Sequence, residues 1–290
     1  MCNSGVILTN WYDFYTYTYN NTHNTHTHTG VNEIRPETTY QDLRAASGNS
    51  GNVVENKSLY WHPTPYEYDP ITDIYKKDKI FFGSSYYIWT TGQTTAFPDG
   101  FKMVAGFNGD PKSRAEAECV NPSPCERANC GTTDTSFFPG TACAELEVKM
   151  VFPTCWNGVD SDSDDHMSHV SYDLEDGQFD GDCPDAFPVK LPEVHFYFRI
   201  APYSGGQHVF SDGTPYYHAD YFSGWKAAEL QNVLVSSCVF PPLCFREILL
   251  WFTLIHIRSS IFALFCTSYF RIIARTILKQ QIQMLGVRTM

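Results

Sequence analysis

Cysteine placement is the feature of this sequence that most restricts what the chain can fold into. Eight of the ten cysteines lie within residues 119–244. They contain no CxxC pair, so zinc-ribbon chemistry does not fit, and a framework of disulfides that closes long loops is the better interpretation. Each such bridge stabilises a fold by roughly 2–4 kcal/mol because it restricts the unfolded chain. The pairing stays open, and the candidates are Cys119, Cys125, Cys130, Cys143, Cys155, Cys183, Cys238 and Cys244.

The cysteine content also predicts an oxidising compartment, because reduced cytosolic proteins of this size rarely carry ten cysteines. We therefore expect a secreted or cell-surface protein. Hydrophobic residues make up 43% of the chain and aromatic residues 16%, which excludes a disordered chain and a coiled coil. The net charge of -12 argues against nucleic acid as a partner, because phosphate binding needs a basic face.

Alternation of apolar and polar residues predicts a mainly β fold with minor helix. Glu145–Phe152 and Val194–Ile200 each place apolar side chains at every second position. Ile80–Phe82 and Ser84–Trp89 are also predicted as strands, bounded by Gly83. These segments are typical of sheets with one face in a hydrophobic core.

Long loops and a single helix complete the predicted architecture. Stretches rich in Asp, Gly, Pro and Ser cover residues 107–143 and 157–189 and are predicted as loops. One helix is predicted over Trp225–Ser237, with Ser223 as its N-terminal cap. We expect a disulfide-stabilised, β-sandwich-like single domain with long loops.

The two ends of the chain differ in composition from its middle. Residues 1–22 form an atypical N-terminus in which the signal peptide is missing, residues 23–238 form the expected domain, and residues 239–290 form a basic, apolar tail. Within the tail, residues 248–270 are long enough to span a bilayer, but Arg258 would lie near the midplane. The alternatives are a membrane anchor, a membrane-surface helix and a gene-model artefact, and a membrane is a partner only if this segment is real.

Two weaker patterns lie near the N-terminus. The His/Thr run over residues 22–29 is interpreted either as an adventitious metal-binding tract or as a polar, flexible start. Asn20 and Asn56 each begin an Asn-x-Ser/Thr glycosylation sequon, and both agree with secretion.

Chemistry-bearing residues concentrate after the predicted strand that ends at Pro153. A Cys-Trp-Asn-Gly turn follows, and then carboxylates and two histidines crowd into residues 160–169. A second pairing, His218-Ala-Asp220, lies further along the chain, before Gly224-Trp225. No P-loop, Rossmann glycine pattern, GxSxG elbow or HExxH motif occurs in the sequence.

These segments resemble the DUF1996 domain family, a group of secreted proteins found largely in fungi and some bacteria. The similarity covers roughly residues 23–238 and implies an extracellular fold, but it implies no reaction because the family has no general activity. The similar segments are His26 to Gly30, Lys57 to Trp61, Phe101 to Gly106, Phe152 to Gly158, Asp162 to Tyr172, Cys183 to Pro192 and His218 to Trp225.

Asp and His side chains are the candidate catalytic groups. An Asp–His pair can act as general acid and base, and we expect such a site to use Asp165, His166, His169, His218 and Asp220. The function that follows is a hydrolase acting on extracellular carbohydrate, with cell-wall polysaccharide as its partner. Whether the chain is an enzyme stays open in the sequence.

Two other interpretations of the same side chains compete with catalysis. His28, His166, His169 and His218 are of a type that binds divalent metals, so a divalent metal is the candidate cofactor. Alternatively, the Asp and His residues form a buried hydrogen-bond network that holds loops in place. In that case the chain is a non-catalytic extracellular structural or binding module.

Three further residues are candidates for substrate binding. Trp61 and Trp156 can stack on sugar rings, and Lys57 lies in the same short segment as Trp61. Tryptophans are also common in hydrophobic cores, and packing is the competing interpretation of both.

Overall fold

A computed structural model describes most of the chain before residue 236. The described residues are 4–11, 15–18, 25–31, 37–51, 53–106, 114–121, 137–174, 181–213 and 216–235. The chain divides into Met1–Val239 and Phe240–Met290, and the described residues all lie in the first unit. The predictions that lie outside the described residues are those for Asn20, Cys125, Cys130, Cys238, Cys244 and the segment 248–270.

Short strands account for most of the regular structure. The strands are β1 (Ser4–Trp11), β2 (Tyr15–Thr18), β3 (Thr25–Thr29), β4 (Leu59–Pro63), β5 (Pro65–Asp69), β6 (Ile74–Lys77), β7 (Ile80–Thr90), β8 (Lys102–Ala105), β9 (Arg114–Asn121), β10 (Glu145–Val151), β11 (Cys155–Trp156), β12 (Val170–Ser171), β13 (Val189–Lys190), β14 (Glu193–Ile200), β15 (His208–Phe210) and β16 (Ala219–Phe222). The helices are α1 (Tyr40–Ala45) and α2 (Ala227–Leu234).

Two five-stranded sheets dominate the fold. The first has the strand order β1-β7-β14-β10-β9, and the second has the order β2-β3-β4-β16-β8. Two smaller sheets have three strands each, in the orders β12-β11-β13 and β15-β5-β6, and the strand pairings are antiparallel. The predicted mainly β single domain with minor helix is therefore confirmed.

The core lies between the inner faces of the two five-stranded sheets. Tyr60 of β4 stacks on Phe196 of β14 at 5.3 Å between ring centroids, which places the second sheet against the first. The hydroxyl of Tyr87 of β7 hydrogen-bonds both Tyr60 (2.5 Å) and Tyr221 of β16 (3.1 Å). These tyrosines are buried, and the bonds satisfy hydroxyls that would otherwise cost free energy in the core.

The predicted strands are largely present, with two differences. β10 and β14 match the predictions over Glu145–Phe152 and Val194–Ile200 within one residue at each end. Gly83 does not end a strand, because β7 continues through it and pairs it with Trp11 and Phe198. Residues 107–143 and 157–189 are not loop throughout, because β9 lies within the first stretch and pairs with β10, and β12 lies within the second and pairs with β11.

The predicted helix is shorter than its pattern, and its cap differs. α2 covers residues 227–234, with Lys226 rather than Ser223 at its N-cap. The acceptor at this end is Asp99 Oδ1, which receives the Ala227 N–H at 2.8 Å. The predicted apolar stripe is confirmed, because Leu230, Val233 and Leu234 are buried.

Two of the predicted disulfides are present among the described residues, and each joins a strand, β9 or β11, to a segment outside the strands. Cys119 pairs with Cys143, and Cys155 pairs with Cys183. Such bonds are compatible with an extracellular protein. Neither α1 nor α2, the helices among the described residues, is long and apolar enough to cross a membrane.

Helix α1 covers one end of the outer face of the second sheet. Its Leu43 packs with Val31, Leu59 and Phe222 in a small buried cluster, and Trp61 contacts that cluster from the side. Beyond Trp61 the outer face becomes polar, and this region holds the candidate site.

Candidate functional site

Strand register brings three of the predicted residues onto one surface. Asp220 of β16 lies opposite Trp61 of β4, and Trp61 lies opposite His28 of β3. Because side chains alternate along a strand, these residues face away from Tyr221, which points into the core. His28, Trp61 and Asp220 therefore share the outer face of the second sheet.

A compact group of ionisable side chains surrounds His218 at this face. His218 Nδ1 lies 3.4 Å from Asp212 Oδ2, and His218 Nε2 lies 3.9 Å from Asp220 Oδ2. The His26 ring lies edge-on to the His218 ring, with 6.1 Å between centroids. We refer to His26, Asp212, His218 and Asp220 as the His218 cluster.

Burial shifts the protonation of this cluster in opposite directions. It raises the pKa of Asp220 to about 8, since the carboxylate form is poorly solvated there. It lowers the pKa of His218 to about 4, opposed by the Asp212 carboxylate and helped by His26. Burial also lowers the pKa of His26, again against the pull of Asp212. At neutral pH the cluster thus holds a protonated Asp220 beside a neutral His218.

Such a pair has the protonation states that acid–base catalysis requires. A carboxylic acid that keeps its proton at pH 7 can donate it, and a neutral imidazole can receive one. Asp220 Oδ2 has no hydrogen-bond partner among the described residues. The Asp220 side chain is 13% exposed and that of His218 is 11% exposed, so both groups have limited contact with solvent.

The remaining predicted Asp and His residues form a second group around the loop after β11. We call Lys102, Asp162, Ser163, Asp165, His166 and His169 the loop cluster. His169 Nε2 donates to the Lys102 carbonyl at 2.8 Å, and its Nδ1 hydrogen-bonds the Ser163 hydroxyl at 2.8 Å. Burial lowers the pKa of His169, which favours this neutral tautomer. Both ring nitrogens are thus used to fix the loop.

Asp165 also has a loop-fixing role. Its Oδ1 accepts the backbone N–H groups of Met167 (3.0 Å) and Ser168 (2.8 Å). These bonds hold the pKa of Asp165 well below its usual range, because they favour the carboxylate. The geometry is that of a carboxylate closing a turn.

Lys102, Asp162 and His166 form the part of the loop cluster that is more accessible to solvent. His166 Nδ1 bonds Asp162 Oδ1 at 2.5 Å, and Lys102 Nζ lies 3.2 Å from Asp162 Oδ2. Burial opposes ionisation of Asp162, but His166 and Lys102 together hold its pKa below the usual value. Lys102 is two residues from Val104, the register partner of Asp220, so this group borders the outer face.

The predicted catalytic residues therefore do not form one site. His218 and Asp220 come together, whereas Asp165, His166 and His169 belong to the loop cluster. Strand β8 lies between the two groups, because Val104 pairs with Asp220 on one side and its N–H bonds the His166 carbonyl on the other.

The predicted metal ligands do not fit a metal ion. His28 and His218 lie on the outer face of the second sheet, whereas His166 and His169 belong to the loop cluster, and both nitrogens of His169 are hydrogen-bonded. In the part of the chain that the structure describes, no group of three His, Cys, Asp or Glu residues is arranged to hold one.

Of the predicted substrate-binding residues, only Trp61 adjoins Asp220. Lys57 Nζ donates to the Ala46 carbonyl at 3.2 Å, at the end of α1. Trp156 Nε1 donates to the Asp160 carbonyl at 2.6 Å, and the ring packs edge-on against Phe101. Both side chains serve local packing in this arrangement.

The structure also bears on the Asn56 sequon. Asn56 is fully buried, its Nδ2 donates to the Tyr60 hydroxyl, and its Oδ1 accepts the Ser58 N–H at 3.1 Å. A glycan on Nδ2 needs an exposed side chain. Glycosylation of Asn56 is therefore incompatible with this fold.

Sequence reasoning missed Asp212 and placed His26 only at the margin. Asp212 lies in the turn after β15, and no sequence motif marks it. The signal for His26 is the strict Thr/His alternation over Thr25–Thr29, which has the period of a strand. The flexible-start interpretation is wrong for these residues, because they form strand β3 and because Thr27, His28 and Thr29 are buried.

Fold and site together define a disulfide-stabilised, antiparallel β-sandwich protein with a polar cluster on one outer sheet face. The family model described as a domain of unknown function (DUF1996) matches residues 17–225. The chain belongs to this family. No curated protein and no solved structure matches the chain.

Proposed function

We propose that this protein is an extracellular, carbohydrate-active hydrolase that uses the His218 cluster as its acid–base site. The observation that carries the proposal is Asp220 Oδ2, a buried carboxyl oxygen that lacks a hydrogen-bond partner among the described residues and lies 3.9 Å from His218 Nε2. Trp61 adjoins it in register and offers an indole ring of the type that stacks on sugars. The disulfides support an extracellular location.

The proposed chemistry is the hydrolysis of a glycosidic bond. Protonated Asp220 donates its proton to the leaving glycosidic oxygen as the bond to the sugar carbon breaks. Because His218 and Asp220 are only 3.9 Å apart, water enters on the same face of the sugar after the leaving group has departed. Neutral His218 takes a proton from this water, and the carboxylate of Asp212 stabilises the imidazolium that forms. After the product leaves, His218 returns the proton to Asp220 through the 3.9 Å contact, and the site is reset.

Turnover on a panel of cell-wall polysaccharides tests this proposal. Reducing ends are measured for the wild type, for Asp220→Asn and for Asp164→Asn, a matched exposed acid outside the His218 cluster. We expect Asp220→Asn to lose about 10²–10⁴-fold in rate, the usual contribution of a general acid. Asp164→Asn should match the wild type. Equal rates for wild type and Asp220→Asn, or no turnover of any polysaccharide by folded wild type, would overturn the proposal.

The loop cluster favours a second, non-catalytic role for part of the surface. Asp165 and His169 form hydrogen bonds that hold the loop in place, as expected in a structural or binding module. Sedimentation with insoluble polysaccharide separates the two functions. Binding that Asp220→Asn preserves, without turnover by the wild type, would support the binding module instead of the hydrolase.

A further inference from the structure

We propose that Ser204, His208 and Asp78 form a second site, which cleaves carboxylic esters through an acyl-serine intermediate. Ser204 Oγ lies 3.3 Å from His208 Nε2, and His208 Nδ1 lies 2.9 Å from Asp78 Oδ2. This is the order of contacts of a nucleophile, its base and the group that orients the base. The site uses none of the residues of the His218 cluster or the loop cluster.

The three side chains differ in their exposure to solvent, as a nucleophilic site requires. Ser204 is exposed at the surface, whereas the His208 side chain is fully buried and that of Asp78 is 8% exposed. The imidazole lies between the rings of Phe138 (5.4 Å) and Tyr203 (4.6 Å). A reactant can therefore reach the hydroxyl, while the base and its orienting carboxylate are shielded from water, which strengthens their interaction.

The turn that carries Ser204 is held rigidly against a neighbouring segment. Gly205 has a φ of +69°, and a Cβ there would lie 2.6 Å from the Ala142 nitrogen. The Gly206 N–H donates to the Gly140 carbonyl at 3.1 Å, and the Gln207 carbonyl accepts the Tyr68 N–H at 2.8 Å. A nucleophile fixed in this way loses little conformational freedom when a substrate binds.

Asp78 selects the tautomer of His208 that the reaction requires. A carboxylate next to Nδ1 fixes the proton on that nitrogen, so Nε2 presents its lone pair to the Ser204 hydroxyl. The hydroxyl also has other acceptors within reach, the Gly205 carbonyl at 3.1 Å and the Glu67 carboxylate. Catalytic hydrogen bonds are often loose without substrate and tighten when it binds.

The Gly205 carbonyl has a second role in this geometry. It lies 3.1 Å from His208 Nε2, where it can accept a hydrogen bond once that nitrogen is protonated. The imidazolium formed during the reaction would thus be held by Asp78 on one side and by Gly205 on the other. Charge-assisted hydrogen bonds of this kind are stronger than neutral ones.

The reaction balances with an ester and water as the only reactants. Ser204 Oγ attacks the carbonyl carbon while His208 Nε2 takes the hydroxyl proton. The C–O bond of the ester then breaks, and the leaving alcohol takes that proton from the imidazolium. Water then attacks the acyl-serine as His208 Nε2 takes its proton, and the imidazolium returns that proton to Ser204 Oγ as the acyl C–O bond breaks and the carboxylic acid leaves. Since Ser204 neighbours Glu67 and Gln207, a short acyl group such as acetyl suits the surface better than a long apolar one.

A fluorophosphonate probe and p-nitrophenyl acetate test the site on the full chain. The probe should label Ser204 of the wild type, as mapped by peptide mass, and Ser204→Ala should hydrolyse the ester at least about 10³-fold more slowly. Ser161→Ala, a matched exposed serine remote from the site, should keep both properties. Folded wild type that is not labelled at Ser204, or Ser204→Ala with the wild-type rate, would overturn the proposal.

Asp78 is a positioning residue, and a conservative variant separates its role from a structural one. Asp78→Asn should lose about 10⁴-fold in the rate of ester cleavage, as expected for the wrong tautomer. Asp78→Glu keeps a carboxylate and should restore part of that loss at similar stability. Equal rates for the two variants would contradict the positioning role. The readouts do not involve polysaccharide, so failure here is distinguishable from failure of the hydrolase proposal.

Discussion

Asp220 Oδ2 lies 3.9 Å from His218 Nε2, yet burial moves the pKa values of the two groups past each other, to about 8 and about 4. In water a carboxyl group is the stronger acid of such a pair, and here the imidazolium is the stronger one. The contact therefore joins two neutral groups at pH 7, and it is poised for proton transfer. This inversion can be tested through the pH dependence of stability.

Replacing Asp220 with Asn should remove a loss of stability at high pH. The Asp220 carboxyl titrates near pH 4 in the unfolded chain and about 8 in the folded protein. Between those values the folded state keeps a proton that the unfolded chain has released. The stability from this group is thus complete below about pH 4 and is lost as pH rises through about 8.

Asn cannot ionise, so the stability of Asp220→Asn lacks this pH dependence. Its free energy of unfolding should therefore rise relative to that of the wild type between pH 5 and pH 9. The expected relative gain is on the order of 3 kcal/mol. Urea denaturation across this range measures it, with Asp164→Asn as the exposed control. A constant difference between Asp220→Asn and the wild type would show that Asp220 titrates normally.

His169 should behave as a structural residue. His169→Ala removes hydrogen bonds to Ser163 and to the Lys102 carbonyl, together with a ring contact to Phe101 at 5.1 Å. The expected loss in the free energy of unfolding is about 2–4 kcal/mol. His166→Ala is the matched control, because that side chain is 43% exposed, and it should lose no more than about 1 kcal/mol. Equal losses would contradict this division of roles.

The strands that alternate clearly were predictable, and those whose buried residues are polar were not. In β10, Leu146, Val148 and Met150 are buried, so hydrophobicity alone locates the strand. In β3, by contrast, Thr27 and His28 are buried although neither is apolar. Only their period of two reveals the strand, and the sheet around them supplies the burial.

The candidate site was predictable only where its residues are close in sequence. His218-x-Asp220 places two side chains on one face of a strand, and that spacing led to both. His166 and His169 have equally suggestive spacing, but strand β8 separates them from His218. Asp212 joins the cluster through a turn. Contacts of that kind depend on tertiary structure, which spacing does not encode.

The two disulfides should make similar contributions to stability. Cys119–Cys143 spans 24 residues and Cys155–Cys183 spans 28, so the entropy removed from the unfolded chain is nearly equal. Each pair of Ser substitutions should cost about 3–4 kcal/mol on the loop-closure model. Urea denaturation measures the cost, and peptide mapping without reductant identifies the bonds. No change in stability on reduction of the wild type would contradict this prediction.

Glycine at position 224 should be indispensable because of close backbone contact. A Cβ on Gly224 would lie 2.1 Å from the Lys57 carbonyl oxygen and 2.6 Å from the Ser58 nitrogen, and the Gly224 N–H donates to Ser58 Oγ at 3.0 Å. Gly30 presses on the same segment, with a φ of +118° and a Cβ position 2.2 Å from the Ser58 carbonyl oxygen. Three segments that are distant in sequence thus meet at Lys57–Ser58, directly before β4 of the second sheet.

Gly224→Ala should therefore destabilise the protein by about 3 kcal/mol or more, since backbone atoms cannot move aside as a side chain would. Gly48→Ala is the control, because a Cβ there meets no atom within 4 Å. Thermal and urea denaturation of both variants measure the difference. If Gly224→Ala is as stable as Gly48→Ala, the close approach of residue 224 to Lys57–Ser58 is wrong, and with it the junction that holds β16 and β4 in register.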